Sequence, residues 1–134
     1  MTEFGGLILD VTPNEAVLDK EILERLGHPV LVCHGPEWGH ACPIVKSDCP
    51  MVESAHGTIF QLDLDRPQHR YILKRYQQVI ADDVPIVVVV QPGQEIRYGD
   101  LLKDVQVWID EPTVAELDGF AALVEASDEL RDAS

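Results

Sequence analysis

"IFQLDLDRP", Ile59 to Pro67, opens as an apolar strand and delivers two carboxylates two residues apart, Asp63 and Asp65, before a proline. Taken with Thr58, the run Thr58 to Leu64 predicts a β-strand. The helix-period segment from Arg66 to Ala81 follows, with Tyr71, Ile72, Leu73, Tyr76, Val79 and Ile80 supplying its apolar positions. A carboxylate pair that closes a buried strand suits four roles: a phosphoryl acceptor, a cation site, an enzyme nucleophile with its acid, or an inert helix cap. Asp65 lies just before a helix that opens with proline, and reads as its N-cap.

Working outward, apolar strands alternate with helix-period segments along the whole chain. Strands are predicted at 6–10, 29–33, 58–64, 85–90 and 104–110. "PIVVVV" (Pro85 to Val90) is apolar throughout, as a strand covered on both faces of a parallel sheet is. Thr12 to Glu15, "TPNE", and Thr113 to Glu116, "TVAE", are capping boxes. The first leads a helix with Val17, Leu18, Ile22, Leu23 and Leu26 as its stripe, stopped by Gly27. The second leads a helix with Val114, Leu117, Phe120, Ala121 and Val124 on one side. A weaker helix is expected over Ile96 to Lys103, against Gly99. Trp108 falls on the opposite face of its strand from Val107 and Ile109, under a helix or at an interface. This β-α alternation predicts one doubly wound α/β domain over 1–134, with a five-stranded parallel sheet in the order 2-1-3-4-5. In that order the C-terminal ends of strands one and three are neighbours, so Asp10 and Asp63 converge.

The chain has 134 residues and a net charge of −14, from 24 Asp and Glu against 10 Lys and Arg. Nucleic acid is disfavoured, because phosphate neutralisation requires an excess of basic groups. Anionic membrane surfaces are disfavoured on the same ground. The longest apolar run is far too short to span a bilayer, and no signal peptide is visible, so a cytoplasmic location is expected.

In this order of motifs the chain resembles a response-regulator receiver domain, from about Leu7 to Leu130. "LILDVTPNEAVLDKEILERLGHPVLVC" is similar to the opening of a receiver. "LDLDRP" places Asp63 four residues before Pro67, the spacing of the family's phospho-accepting aspartate. "DVPIVVVV" is similar to strand four, and "DEPTVAELDGFAALVEA" to the final turn and helix. The resemblance implies regulation through protein contacts, with the segment from about Ile96 to Val124 as the face for a homodimer or a protein partner. Three departures accompany it. The second acid of the family's Mg²⁺-holding pair falls on Val11, the hydroxyl at the end of strand four on Val90, and the lysine before the last proline on Glu111. Phosphoryl transfer to a carboxylate needs cations to spread developing charge. The expected reading is therefore a stand-alone pseudo-receiver, non-catalytic, with Asp10 and Asp63 as the remnant of the acidic site. No cofactor is expected beyond a possible Mg²⁺ at that remnant.

Two other constellations are present. The Gly-, Pro-, His- and Cys-rich insert 34–56, with room for a short helix around Pro50 to Ala55, adjoins Cys33. Cys33, His40, Cys42 and Cys49 are residue types that zinc accepts, which gives the alternative of a small metal-binding or redox-responsive protein. Cys42 and Cys49 would also suit a reversible disulfide, and all three cysteines would suit plain packing. Asp63-Leu64-Asp65 resembles the DxD of haloacid-dehalogenase-type phosphatases, giving a second alternative in which Asp63 attacks phosphorus and Asp65 is the acid. His28 reads as the end of the first helix and His69 as a solvent-facing residue.

Overall fold

The computed structural model describes residues 7–12, 17–33, 55–80 and 84–132, with no side chain described from 130 on. In chain order the elements are β1 (Ile8–Val11), α1 (Val17–Arg25), β2 (Val30–Cys33), β3 (Gly57–Phe60), α2 (Pro67–Val79), β4 (Ile86–Val90), α3 (Gln94–Arg97), α4 (Gly99–Leu102), β5 (Gln106–Ile109) and α5 (Val114–Asp132). The strands form one parallel sheet in the order β2-β1-β3-β4-β5, as expected. Most of the insert, with Trp38, His40, Cys42, Cys49 and the expected helix near Pro50, lies outside the described residues, as does Glu15 of the first capping box.

Period-two alternation along the strands sends side chains to two cores. Leu9, Val11, Phe60, Val88 and Val90 face Ile72, Leu73 and Tyr76 of α2 and Leu102 of α4. Ile8, Ile59, Val87, Val89 and Trp108 face Leu23 of α1 and Leu117, Phe120, Ala121 and Val124 of α5. Each core holds an edge-to-face aromatic pair: Phe60 with Tyr76 at 5.5 Å, and Trp108 with Phe120 at 5.9 Å. Trp108 therefore sits under a helix.

The helix ends follow local chemistry. Gly27, at φ 95°, ends α1. The Gly27 N–H donates to the Glu24 carbonyl, and the His28 N–H to the Leu23 carbonyl, the paired bonds of a Schellman turn. At the start of α5 the Thr113 N–H donates to Glu116 Oε1 (3.0 Å) and the Glu116 N–H to Thr113 Oγ1 (3.2 Å), the reciprocal bonds the capping box predicts. The segment expected as one weak helix is two four-residue turns, α3 and α4, meeting at Tyr98. Gly99 opens the second of them.

Several expected faces differ. The sheet covers α1 through Asp19 and Leu23, one turn apart, so Val17 and Leu18 stay exposed. In α2, Tyr71 is exposed, whereas His69 is buried with its ring Nδ1 3.1 Å from the Asp63 carbonyl. His28 is also more than a helix end. It is fully buried, and its Nε2 lies 3.2 Å from Glu125 of α5. His56 makes a similar contact, with Nδ1 2.8 Å from Asp128. Two histidine–carboxylate contacts thus hold α5 to the N-terminal side of the sheet.

Candidate functional site

β3 ends at Phe60, four residues earlier than the apolar run suggested. The Gln61 N–H still donates to the Val11 carbonyl, but the chain then turns, with the Arg66 N–H bonded back to the Asp63 carbonyl. Leu62 and Leu64 remain buried inside this turn, which is why the run reads as strand. Asp63 consequently stands three residues beyond the strand, not at its tip.

The shift decides what lies beside Asp10. Asp10 is paired with Ile59 and Val11 with Phe60. Gln61 has the parity of Ile59, on the side of the sheet that α1 covers. Its amide Nε2 donates to Asp10 Oδ1 (2.6 Å) and to Asp19 Oδ2 of α1 (2.8 Å). The three side chains form one buried polar cluster, with Asp10 fully inaccessible and Asp19 nearly so. Asp10 Oδ2 accepts no hydrogen bond there. Burial raises the Asp10 pKa from 3.8 to about 9, helped by hydrogen bonding to Asp19 and by its charge, against a smaller opposing effect of Gln61. Asp10 is thus held as a neutral acid at pH 7. Asp19 and Gln61 were both missed in the sequence. The available signal was one amide breaking the apolar run opposite Asp10, and an acid one turn before Leu23.

Asp63 and Asp65 have separate partners. Asp63 Oδ1 accepts from the Asp65 N–H (3.0 Å) and from Gln94 Nε2 of α3 (3.0 Å). Gln94 Oε1 in turn accepts from the Gln91 N–H, 2.9 Å away. Asp65 is not the helix cap. The N-cap residue of α2 is Arg66, which makes no side-chain cap bond, and Pro67 removes one of the N–H groups that would need one. Asp65 Oδ1 instead accepts from Arg97 Nη1 (2.6 Å) and from the Tyr98 hydroxyl (2.7 Å). The Tyr98 hydroxyl bond, with Arg97 second, holds the Asp65 pKa below its usual value.

The three positions expected to depart from the receiver pattern have definite places. Val11 and Val90 are buried in the α2-side core, so neither position offers a polar atom to the site. Glu111 is exposed just after β5. Asp110 before it has a left-handed backbone, φ 67°, a conformation that Asp adopts more readily than most residues. Cys33 closes β2 and packs partly buried against the α2-side core. Among the described residues, no three His, Cys, Asp or Glu side chains are grouped to hold a metal ion. Among them, too, no helix is long and apolar enough to cross a membrane.

No protein-family model matches the chain, and no curated protein matches it. Solved structures do. NtrX from Brucella abortus in complex with ATP matches with a TM-score of 0.67 at 14% identity, over 97% of this chain and 29% of that one. This chain therefore spans less than a third of NtrX. A response regulator receiver domain protein from Clostridium thermocellum matches with a TM-score of 0.64 at 15% identity, over 94% of this chain and 96% of that one. The phosphorylated cyanobacterial phytochrome response regulator RcpA matches with a TM-score of 0.55 at 18% identity, over 94% and 93%. The shared property is the doubly wound fold, with its strand order 2-1-3-4-5.

Proposed function

We propose, from the receiver fold of this chain, that it is a pseudo-receiver: a regulatory domain that acts through protein contacts and not by phosphorylation of Asp63. The observation that carries this reading is the buried Asp10–Gln61–Asp19 cluster. In a receiver, the end of the first strand offers ionised carboxylates to a cation. Here the surviving acid is neutral at pH 7, shielded from water and occupied by Gln61. A neutral buried acid is a poor ligand for Mg²⁺, which takes charged, accessible oxygens and keeps several waters. Val90 has no hydroxyl to offer a phosphoryl oxygen, and Glu111 adds negative charge where a cation would be useful. Asp63 Oδ1 accepts from two neutral donors, the Asp65 N–H and Gln94 Nε2, whereas a phosphoryl acceptor is helped by cations.

The contact face we assign lies within the expected segment from Ile96 to Val124. Ile96 of α3 is 83% exposed, Val114 at the start of α5 54%, and Ile109 on the edge strand β5 48%. An edge strand flanked by exposed aliphatic side chains suits a second protein surface. In sedimentation velocity over a concentration series, the wild type is expected to self-associate, and the double variant Ile96→Asp, Ile109→Asp to stay monomeric. Asp63→Asn is expected to associate as the wild type does. Association lost in Asp63→Asn contradicts a phosphorylation-independent contact, and association kept in the double variant contradicts the face.

A further inference from the structure

The charge of this acidic chain is unevenly spread. Six of its ten basic residues lie between Arg66 and Lys103, a span that holds four acidic ones. Three of the six line one groove of about 450 Å³ between α2 and the α3–α4 turn. That volume is within the range of roughly 300–1,000 Å³ usual for small-molecule sites. Arg70, Lys74 and Gln77 form one stripe along α2, and Arg97 and Tyr98 face them from the other wall.

The two guanidinium groups are held in place before any ligand arrives. Arg70 Nη1 donates to the Leu64 carbonyl (2.7 Å) and to the Tyr98 hydroxyl (3.4 Å), and its guanidinium carbon lies 5.2 Å from the Tyr98 ring centroid. Arg97 lies 5.8 Å from the same centroid and is pinned by Asp65. Each guanidinium carries five N–H donors, so both keep donors to spare. Lys74 is exposed one turn from Arg70 and makes no ion pair among the described residues. Two guanidinium forks and an ammonium around one depression suit the several oxygens of a phosphate group. Asp100 and Asp104 also line the groove. They disfavour a bare polyanion and favour a ligand whose remainder donates hydrogen bonds.

We propose that this groove binds a small phosphate monoester bearing hydroxyl or amine donors, with the phosphate at Arg70, Lys74 and Arg97. The ester takes the remaining donors of Arg97, whose Nη1 bonds Asp65 Oδ1, and the Asp65 N–H is bonded to Asp63 Oδ1. Binding therefore reaches the turn after β3 without any phosphorylation of Asp63. The proposal does not depend on whether Asp63 accepts a phosphoryl group.

The test is an NMR titration of the isotope-labelled full chain at fixed ionic strength with AMP, phosphoethanolamine, inorganic phosphate and malonate. AMP and phosphoethanolamine are expected to give saturable shifts at the Arg70, Lys74, Tyr98 and Asp65 amides. Lys74→Ala, an exposed position, is expected to weaken binding at least tenfold, and Lys20→Ala on α1 to leave it unchanged. Shifts that never saturate, or an equal loss in Lys20→Ala, overturn the site. Malonate or inorganic phosphate binding as tightly as the esters overturns the ligand class.

Discussion

Asp10→Asn is expected to make the protein more stable at neutral and mildly alkaline pH. The folded state raises the Asp10 pKa from 3.8 to about 9 by burying the group beside Asp19. Between those values the unfolded chain releases a proton that the folded chain keeps. The folded state thus binds more protons across that window, and stability falls as pH rises through it. The raised pKa is a cost at pH 7, absent below the unfolded value and complete above the folded one. Asn removes it, because an amide is neutral at every pH. Its Oδ1 can still accept from Gln61. The expected gain is about 2–4 kcal/mol near pH 7, from about 1.4 kcal/mol per pKa unit, discounted for relaxation of the cluster. Urea unfolding of both proteins across pH should show the gap widening from acid to neutral pH. A constant gap, or a less stable variant, contradicts a protonated Asp10.

Gly57→Ala is expected to loosen α5 from the sheet. A Cβ built on Gly57 would lie 2.6 Å from Val124 Cγ2 and 3.2 Å from the Phe120 ring. Both neighbours belong to the fully packed α5-side core, and a branched Val side chain has little room to yield. Overpacking of this kind costs about 1–3 kcal/mol. The substitution at the start of β3 should therefore lower the unfolding midpoint, and near-ultraviolet circular dichroism should report a changed Trp108 environment through the Trp108–Phe120 contact. Unchanged stability would mean that α5 does not approach the sheet as closely as described.

The fold was legible because its determinants are local and repetitive. The apolar run before Val90, the Gly27 stop and the Thr113–Glu116 box each specify an element with little help from the rest of the chain. The site was less legible because it depends on where one strand ends. Leu62 and Leu64 are apolar and buried, so composition alone extends β3 through them. Only the backbone turn between Asp63 and Arg66 stops the strand at Phe60 and places Gln61 near Asp10. His69 shows the same limit. A histidine on a helix reads as exposed unless its neighbour in space, here the Asp63 carbonyl, is known. The residue types at Val11, Val90 and Glu111 were visible in the sequence. The raised pKa of Asp10 was not, because it is set first by burial and then by Asp19 arriving from α1.

Exposure of the purified protein to acetyl phosphate and Mg²⁺, followed by intact mass measurement, tests the central claim most directly. The mass of the wild type should stay that of the unmodified chain. A stable gain of one phosphoryl group on the wild type, absent from Asp63→Asn, would contradict the account.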